Sequence, residues 1–276
     1  MPVKFINITK KSFLNNGKPL FKIISSQWAN NTLGVNHYLW FANPANWKDA
    51  FEKRFIDLSY KLKSKSMVSF PLKDKIFCSC FSNERVCEAQ WFMYSRDNND
   101  NDSLCLKINR EKLLDELEQY CKANPDVELF IGKVKYQETS EITNSLPKNS
   151  FLNRGTKPFD IHNIQSQIRL LLLKRNAFFY EDEIRIFIIN ANNQGDGLKF
   201  QYKCDANVLV QQIMMNPTFT KQNALKVWLE SPTNIQTPLG KGLGFNPITN
   251  SKCVTQKRVV LSHLYEHAHP SYVNLY

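Results

Sequence analysis

The feature that most constrains the fold of this chain is an apolar, β-favouring run at residues 184–189. Glu181 and Glu183 stand just before this run, and Arg185 is its second residue. On a strand, alternate side chains share a face, so Glu181, Glu183 and Arg185 are expected to project to the same side. Two carboxylates this close repel, which favours a raised pKa on one of them or its capture by Arg185 or a lysine. The pattern therefore predicts an acid/base or cation-stabilising site; the alternative is a solvated strand face with cross-strand ion pairs.

Size and composition favour a globular protein with a substantial core. The chain has 276 residues, 42% of them hydrophobic, and we predict one domain over residues 1–276. No run approaches the roughly 18 consecutive apolar residues of a membrane helix, and the N-terminus lacks an export signal, so we expect a cytoplasmic protein with no membrane partner. The net charge of +11 favours a polyanionic partner such as nucleic acid or a nucleotide, although dispersed lysines also suit simple solubility.

The seven cysteines predict free thiols, because they form an odd set in a long chain without an export signal. Cys78 and Cys80 are separated by one residue, closer than the spacing typical of structural zinc sites. They also lie in an alternating, strand-like stretch. We therefore predict no metal site.

The order of elements predicts an α+β fold. Strands and helices alternate without a regular βαβ repeat, which favours a mixed, mostly antiparallel sheet, in one piece or split, with surrounding helices. Strands are predicted at 75–82, 104–108, 129–137, 199–204 and 257–264, and helices at 84–94, 110–122, 161–174, 206–215 and 220–230. No glycine-rich dinucleotide or triphosphate motif occurs.

Four short segments in chain order carry a family resemblance: Leu20-Phe21-Lys22-Ile23; Leu39-Trp40-Phe41-Ala42-Asn43-Pro44 with Asp49-Ala50-Phe51-Glu52; Cys80-Phe81-Ser82 with Trp91-Phe92-Met93-Tyr94; and Phe178-Phe179-Tyr180-Glu181-Asp182-Glu183-Ile184-Arg185. Over about residues 18–265 they resemble the bacterial domain-of-unknown-function family numbered twenty-nine seventy-one. Two positions depart from the family pattern. Lys48-Asp49-Ala50-Phe51 stands where the family has Asn-Asp-Pro-Phe, and Ile23-Ile24 stands where it has an aromatic residue followed by arginine.

The same order of parts resembles the layout of mono-ADP-ribosyltransferases, which bind NAD without a Rossmann fold. The resemblance implies NAD as cofactor and a nucleic acid or protein as acceptor, in a bacterial toxin or phage-defence setting. It implies these roles: Glu183 as catalytic acid, Glu181 as the residue that positions the acceptor, Ser82 as the ribose-pocket hydroxyl, Tyr94 or Trp91 as the stacking ring, Lys22 as the phosphate contact, and Asp49 and Arg185 as substrate-binding residues.

Other interpretations stay open. A metal-dependent nuclease would gather Mg²⁺ between Asp49, Glu181 and Glu183, with Lys22 or Lys174 stabilising the scissile phosphate. A non-catalytic, basic nucleic-acid-binding module would use Trp47, Phe51 or Phe179, taken as exposed rings, as stacking platforms. Individual residues also have structural alternatives, since Trp91 and Tyr94 suit a core and Ser82 suits a helix N-cap.

Overall fold

The computed structural model describes residues 2–14, 17–25, 32, 38–57, 60–61, 67–84, 86–95, 103–145, 162–189, 198–216 and 258–260. It confirms an α+β chain with a mixed, mostly antiparallel sheet and small two-stranded sheets beside helices. The predicted helix at 220–230 and Cys253 lie outside the described residues, as does most of the predicted strand at 257–264. The described cysteines are free thiols, as predicted.

The strands are β1 (Lys4–Ile6), β2 (Leu20–Ile24), β3 (Tyr38–Ala42), β4 (Tyr60–Lys61), β5 (Met67–Val68), β6 (Ile76–Ser82), β7 (Leu104–Ile108), β8 (Glu128–Lys133), β9 (Lys135–Gln137), β10 (Leu173–Arg175), β11 (Glu183–Ile189), β12 (Lys199–Lys203), β13 (Val210–Met215) and β14 (Arg258–Val260). The helices are α1 (Lys10–Leu14), α2 (Ala50–Asp57), α3 (Glu88–Ser95), α4 (Arg110–Ala123), α5 (Thr139–Ser145), α6 (Ile164–Leu170) and α7 (Ala206–Leu209). Short 3-10 segments cover Pro44–Asn46 and Asn176–Glu181.

The chain divides into two compact units, where the sequence predicts one domain. The first unit comprises Met1–Asn15, Trp40–Phe81 and Leu114–Tyr202. The second unit comprises Asn16–Leu39, Ser82–Leu113 and Lys203–Tyr276.

The first unit is organised around β8 and β11, which pair antiparallel from Ile184↔Lys133 to Ile189↔Glu128. β1 lies parallel to β8 on one side, and β6 neighbours β11 on the other. All seven residues of β11 are buried, which explains why its sequence is apolar apart from Glu183 and Arg185. The result is a strand that carries two charged side chains into the interior.

An apolar core surrounds the start of β11 in the first unit. Its members share almost complete burial and include Phe55, Ile56, Phe70, Phe130, Leu171, Leu172 and Phe187. Trp47 and Tyr136 pack against this core while staying partly exposed. The charged side chains of β11 therefore lie beside a hydrophobic environment, where an unpaired charge would be costly.

The second unit is built on β2, β7 and β13. β7 pairs antiparallel with both neighbours, and β14 lies parallel to β13. A smaller core forms here from Phe21, Val86, Trp91 and Cys105.

Two element predictions are wrong at their boundaries for identifiable reasons. The predicted helix 206–215 ends at Leu209, because Val210 and Ile213 enter the sheet as part of β13, where β-branched side chains pack well. The predicted strand 129–137 breaks at Val134, whose N–H donates to the Glu183 carbonyl at 2.9 Å before β9 begins.

Helix α6 is shorter than the predicted 161–174 helix and begins with an asparagine cap. The Asn163 side chain accepts from the Ser166 N–H at 3.1 Å, and the helix ends at Leu170. Lys174 therefore lies on β10 rather than on a helix.

Among the described residues, no helix combines the length and the apolar character that crossing a membrane requires.

Candidate functional site

Five charged side chains meet in the first unit, and we call them the charge cluster: Glu52, Lys174, Glu181, Glu183 and Arg185. All are at most 5% exposed. Helix α2 supplies one of them, and three elements that follow one another much later in the chain supply the rest: β10 one, the 3-10 segment Asn176–Glu181 one and β11 two. The structure thus contradicts the alternative of a solvated strand face at this position.

A change of backbone conformation at Asp182 separates Glu181 from Glu183. Glu181 ends the 3-10 segment, and Asp182 adopts a left-handed conformation with φ 38° and ψ 58°, which aspartate tolerates better than most residues. Glu183 then starts β11. The prediction that Glu181 lies on the same strand as Glu183 is therefore wrong, yet both carboxylates still reach one ammonium group.

That ammonium group belongs to Lys174. Its Nζ lies 2.5 Å from Glu181 Oε2, 3.2 Å from Glu183 Oε2 and 3.2 Å from Glu52 Oε1. Three carboxylates thus share one buried cation. Charge-assisted hydrogen bonds of this kind are what makes such a concentration of acids tolerable away from water.

Arg185 provides the second cation of the charge cluster. Its guanidinium donates two hydrogen bonds to the Glu183 carboxylate, from Nε to Oε1 at 3.1 Å and from Nη2 to Oε2 at 2.8 Å. Its Nη2 also donates to Glu52 Oε2, and its Nη1 donates to the carbonyl of Leu171 at 2.5 Å, at the C-terminal end of α6. The Trp47 ring covers the guanidinium at 4.4 Å.

The pKa values of Glu181 and Glu183 are shifted in opposite directions. Burial raises the pKa of Glu181, and repulsion from Glu183 adds to this effect against the attraction of Lys174. Burial would also raise the pKa of Glu183, but Arg185 and Lys174 lower it to about 2. Glu183 is therefore ionised at neutral pH, whereas Glu181 holds a proton more readily than a free glutamate does.

Two further polar groups contact Glu183. The Tyr136 hydroxyl accepts from the Glu183 N–H at 2.9 Å, and burial raises the pKa of this phenol above its ordinary value. The Cys80 thiol hydrogen-bonds the Glu183 carboxylate. Cys80 Sγ lies 3.9 Å from Cys78 Sγ, and this contact, with burial, raises the pKa of the Cys80 thiol. Both groups are thus neutral donors and acceptors beside an anion.

A partly exposed ion pair, Asp49 with Arg175, lies next to the charge cluster in sequence. Asp49 Oδ2 accepts from Arg175 Nη2 at 2.9 Å, and Asp49 Oδ1 accepts from the Phe51 N–H at 2.7 Å, at the start of α2. Burial would raise the pKa of Asp49, but these hydrogen bonds lower it. The rings of Phe51 and Phe178 lie 5.5 and 5.0 Å from the Arg175 guanidinium. Asp49 therefore pairs with the Arg175 guanidinium and caps the start of α2.

The predicted cofactor-binding residues all belong to the second unit. Lys22 is half-buried on β2, and Trp91 is only 3% exposed within the core of that unit. Tyr94 is 42% exposed on α3. The Ser82 hydroxyl accepts from Gln90 Nε2, and the Gln90 side chain in turn accepts from the Cys87 N–H at 2.8 Å, just before α3. Ser82 thus fixes the start of α3 through Gln90.

Sequence reasoning identified Glu181, Glu183 and Arg185 but missed the roles of Glu52 and Lys174. A signal for Glu52 was present. In α2, positions 52, 55 and 56 share one helical face, and Phe55 and Ile56 are core residues. A glutamate on the apolar face of a short helix requires a buried cation, and that requirement points to Arg185 or Lys174.

Among the described residues, no group of three His, Cys, Asp or Glu side chains is arranged to hold a metal ion. The carboxylates of the charge cluster contact protein cations instead. No protein-family model, no curated protein and no solved structure matches this chain.

Proposed function

We propose that this protein breaks the glycosidic bond between nicotinamide and ribose in NAD and transfers the ADP-ribose to an acceptor. The observation that carries the proposal is a pair of buried glutamates that share the Lys174 ammonium, which lies 2.5 Å from Glu181 and 3.2 Å from Glu183, while Arg185 contacts Glu183 at two points. This arrangement lowers the pKa of Glu183, whereas burial raises the pKa of Glu181. Neighbouring carboxylates held in different protonation tendencies are the usual basis of a divided acid/base and charge-stabilising role.

Glu183 suits the first half of this reaction. When the bond from ribose C1′ to nicotinamide breaks, the electron pair leaves with nicotinamide, which becomes neutral, and C1′ gains positive charge. A carboxylate fixed in its ionised form stabilises that charge without having to reorganise. Arg185 and Lys174 hold Glu183 in this form.

Glu181 suits the second half. A hydroxyl or amine of the acceptor forms a new bond to C1′ and must lose a proton. A glutamate whose pKa is raised by burial is a better proton acceptor than an ordinary glutamate. Glu181 therefore takes the acceptor proton, and the two carboxylates divide the chemistry between them.

Access to these carboxylates requires a local movement, because both are nearly fully buried. We expect the segment Asn176–Glu181, which carries Glu181 at its end, to be the element that moves. Asn176 and Phe179 on it are exposed, and the Phe178 ring lies 5.1 Å from Lys174 Nζ. We expect substrate to displace these aromatic rings when it binds.

The NAD-binding roles of Lys22, Ser82, Trp91 and Tyr94 rest on the family resemblance alone, and all four residues lie in the second unit. Tyr94 is more suitable than Trp91 for stacking nicotinamide, since Trp91 contributes to a core. Tyr94→Ala is expected to raise the KM for NAD while leaving the melting temperature nearly unchanged. Trp91→Ala is expected to lower the melting temperature sharply.

The acceptor class and the biological setting follow from weaker arguments. A net charge of +11 favours an anionic acceptor, so nucleic acid is our first choice and protein the second. A cytoplasmic enzyme of this kind suits bacterial toxin or phage-defence systems, where modification of a macromolecule halts growth.

The experiment is to incubate the purified protein with NAD and measure nicotinamide release, with and without single-stranded nucleic acid or a protein mixture. Release that increases with nucleic acid, together with a labelled product from radiolabelled NAD, supports the proposal. Mg²⁺-dependent cleavage of nucleic acid without NAD consumption would instead select the nuclease. Tight binding of nucleic acid with neither reaction would select the non-catalytic binding module.

A further inference from the structure

We propose that Glu52 is a positioning residue of this site, whose carboxylate bridges Lys174 and Arg185 and so fixes both cations of the charge cluster beside Glu183. This inference rests on the proposed function, because it assigns Glu52 to the same reaction. Glu52 does not itself contact substrate in this account.

The geometry of Glu52 is that of a bridge. Oε1 lies 3.2 Å from Lys174 Nζ, and Oε2 accepts from Arg185 Nη2. One carboxylate on α2 thereby joins a cation from β10 to a cation from β11. Each of these cations also contacts Glu183, so the position of Glu52 determines where both cations face that carboxylate.

The charge of Glu52 exceeds what the ion pairs need. Among the described residues, the ion pairs of the charge cluster join three carboxylates to two cations. Without Glu52, two carboxylates and two cations would balance. Because an unbalanced charge in a buried place is unfavourable, and Glu52 and Glu183 already balance the two cations, the third carboxylate favours the protonated form of Glu181. Repulsion from Glu52 is also one of the causes of the raised pKa of Glu181.

The surroundings of Glu181 identify which groups influence its proton. They are Lys174 on β10, Glu183 on β11, Glu52 on α2 and Tyr136 on β9. Arg185 on β11 and Cys80 on β6 act on the neighbouring Glu183. Tyr136 and Cys80 stay neutral near neutral pH, since burial and neighbouring groups raise the pKa of each above its ordinary value. Glu52 is therefore the carboxylate that can be neutralised while Glu183 keeps its charge and its role.

The test compares Glu52→Gln, Glu52→Asp and the control Asp57→Asn, which removes an exposed carboxylate from the same helix. The first readout is the titration of the Glu181 side-chain carboxyl, followed by NMR in the substrate-free protein. Glu52→Gln is expected to shift this titration to lower pH. Glu52→Asp, which keeps the charge, and Asp57→Asn are expected to leave it close to that of the wild type.

The second readout is the rate of nicotinamide release. Misplacement of a catalytic group by about 1 Å can cost on the order of 10²-fold in rate. Glu52→Gln is therefore expected to lower kcat by about that factor with little change in the KM for NAD, and Asp57→Asn to change neither. Glu52→Asp, whose shorter side chain does not span both cations, is expected to lower kcat although the Glu181 titration is preserved.

Two results in folded protein would overturn the inference about Glu52. One is an unshifted Glu181 titration in folded Glu52→Gln protein, and the other is a wild-type kcat in that variant. Failure of Glu52→Gln to fold would also contradict it, because the charge count predicts that this variant tolerates the change. If the wild type releases no nicotinamide, the proposed function fails, while the NMR titration still decides whether Glu52 controls Glu181.

Discussion

Glu52 and Arg185 are 133 positions apart in the sequence, yet their side chains pair directly inside the first unit. Arg185 simultaneously forms a two-point contact with Glu183. The pairing therefore ties helix α2 to the strand that carries the candidate catalytic carboxylate. A chain segment from the first quarter of the sequence thus determines the electrostatic environment of a site built near residue 180.

Lys174 is the residue whose loss should destabilise the charge cluster most. Lys174→Met keeps the length of the side chain but removes the cation that lies 2.5 Å from Glu181. Glu52 and Glu183 keep Arg185 as their shared cation. Removing one partner of a buried ion pair costs about 3–5 kcal/mol, and we expect a loss of this size in the free energy of unfolding at neutral pH. Urea denaturation measures it.

The control for this prediction is Lys135→Met, on the neighbouring strand β9, where the lysine side chain is exposed. An exposed lysine contributes little, so this variant should stay within about 0.5 kcal/mol of the wild type. Equal stability of the two variants would contradict the account of Lys174. A loss that shrinks at acid pH would support it, because protonated carboxylates no longer need the cation.

Acid should weaken the protein partly through Glu183. The folded-state pKa of Glu183 is about 2, below its ordinary value of 4.5. A group with a depressed pKa contributes stability that is fully present above its unfolded pKa and is lost as pH falls through the folded pKa. The contribution is about 3 kcal/mol at neutral pH and should disappear progressively between about pH 4.5 and 2.

Comparing the pH dependence of unfolding in wild type and Glu183→Gln isolates this contribution. The stability difference between the two proteins should vary with pH in that acid window and be constant from pH 6 to 8. A difference that does not change between pH 6 and pH 2 would show that Glu183 is not held ionised by Arg185 and Lys174.

Gly132 is a position where no side chain fits. It pairs with Arg185 in the sheet, and a Cβ placed there would lie 2.4 Å from Leu172 Cδ1 and 2.7 Å from Cδ2. Leu172 is completely buried, so its end cannot move aside without disturbing the core. Gly132→Ala should therefore cost about 1–3 kcal/mol in thermal or urea unfolding. Wild-type stability of this variant would contradict the close packing of β8 against Leu172.

The fold could be predicted in outline because local patterns and tertiary packing agree over most of the chain. The predicted strand 104–108 and the helix that begins at Arg110 are both found, and Asn109 caps that helix by accepting from the Lys112 N–H at 3.1 Å. The predicted and observed elements differ where tertiary contacts determine the secondary structure. Val210–Met215 has a composition that suits either helix or strand, and its pairing with β7 makes it a strand.

The site could be predicted only in part for a similar reason. The placement of Glu183 and Arg185 two positions apart on one strand is a local property of the sequence, and β11 confirms it. The contribution of Glu52 depends on how a distant helix packs, which no local pattern in residues 174–189 contains. The break at Asp182 was also missed, because it depends on a left-handed backbone conformation that the sequence permits but does not require.

Nicotinamide release by Glu183→Gln, relative to wild type, tests the central claim most directly. The matched control is Glu118→Gln, the same substitution at a partly exposed glutamate of the first unit that pairs with Lys10. We predict that folded Glu183→Gln loses at least on the order of 10²-fold in kcat, while Glu118→Gln keeps the wild-type rate. Release of nicotinamide by folded Glu183→Gln at the wild-type rate would contradict the assignment of Glu183 as the charge-stabilising carboxylate.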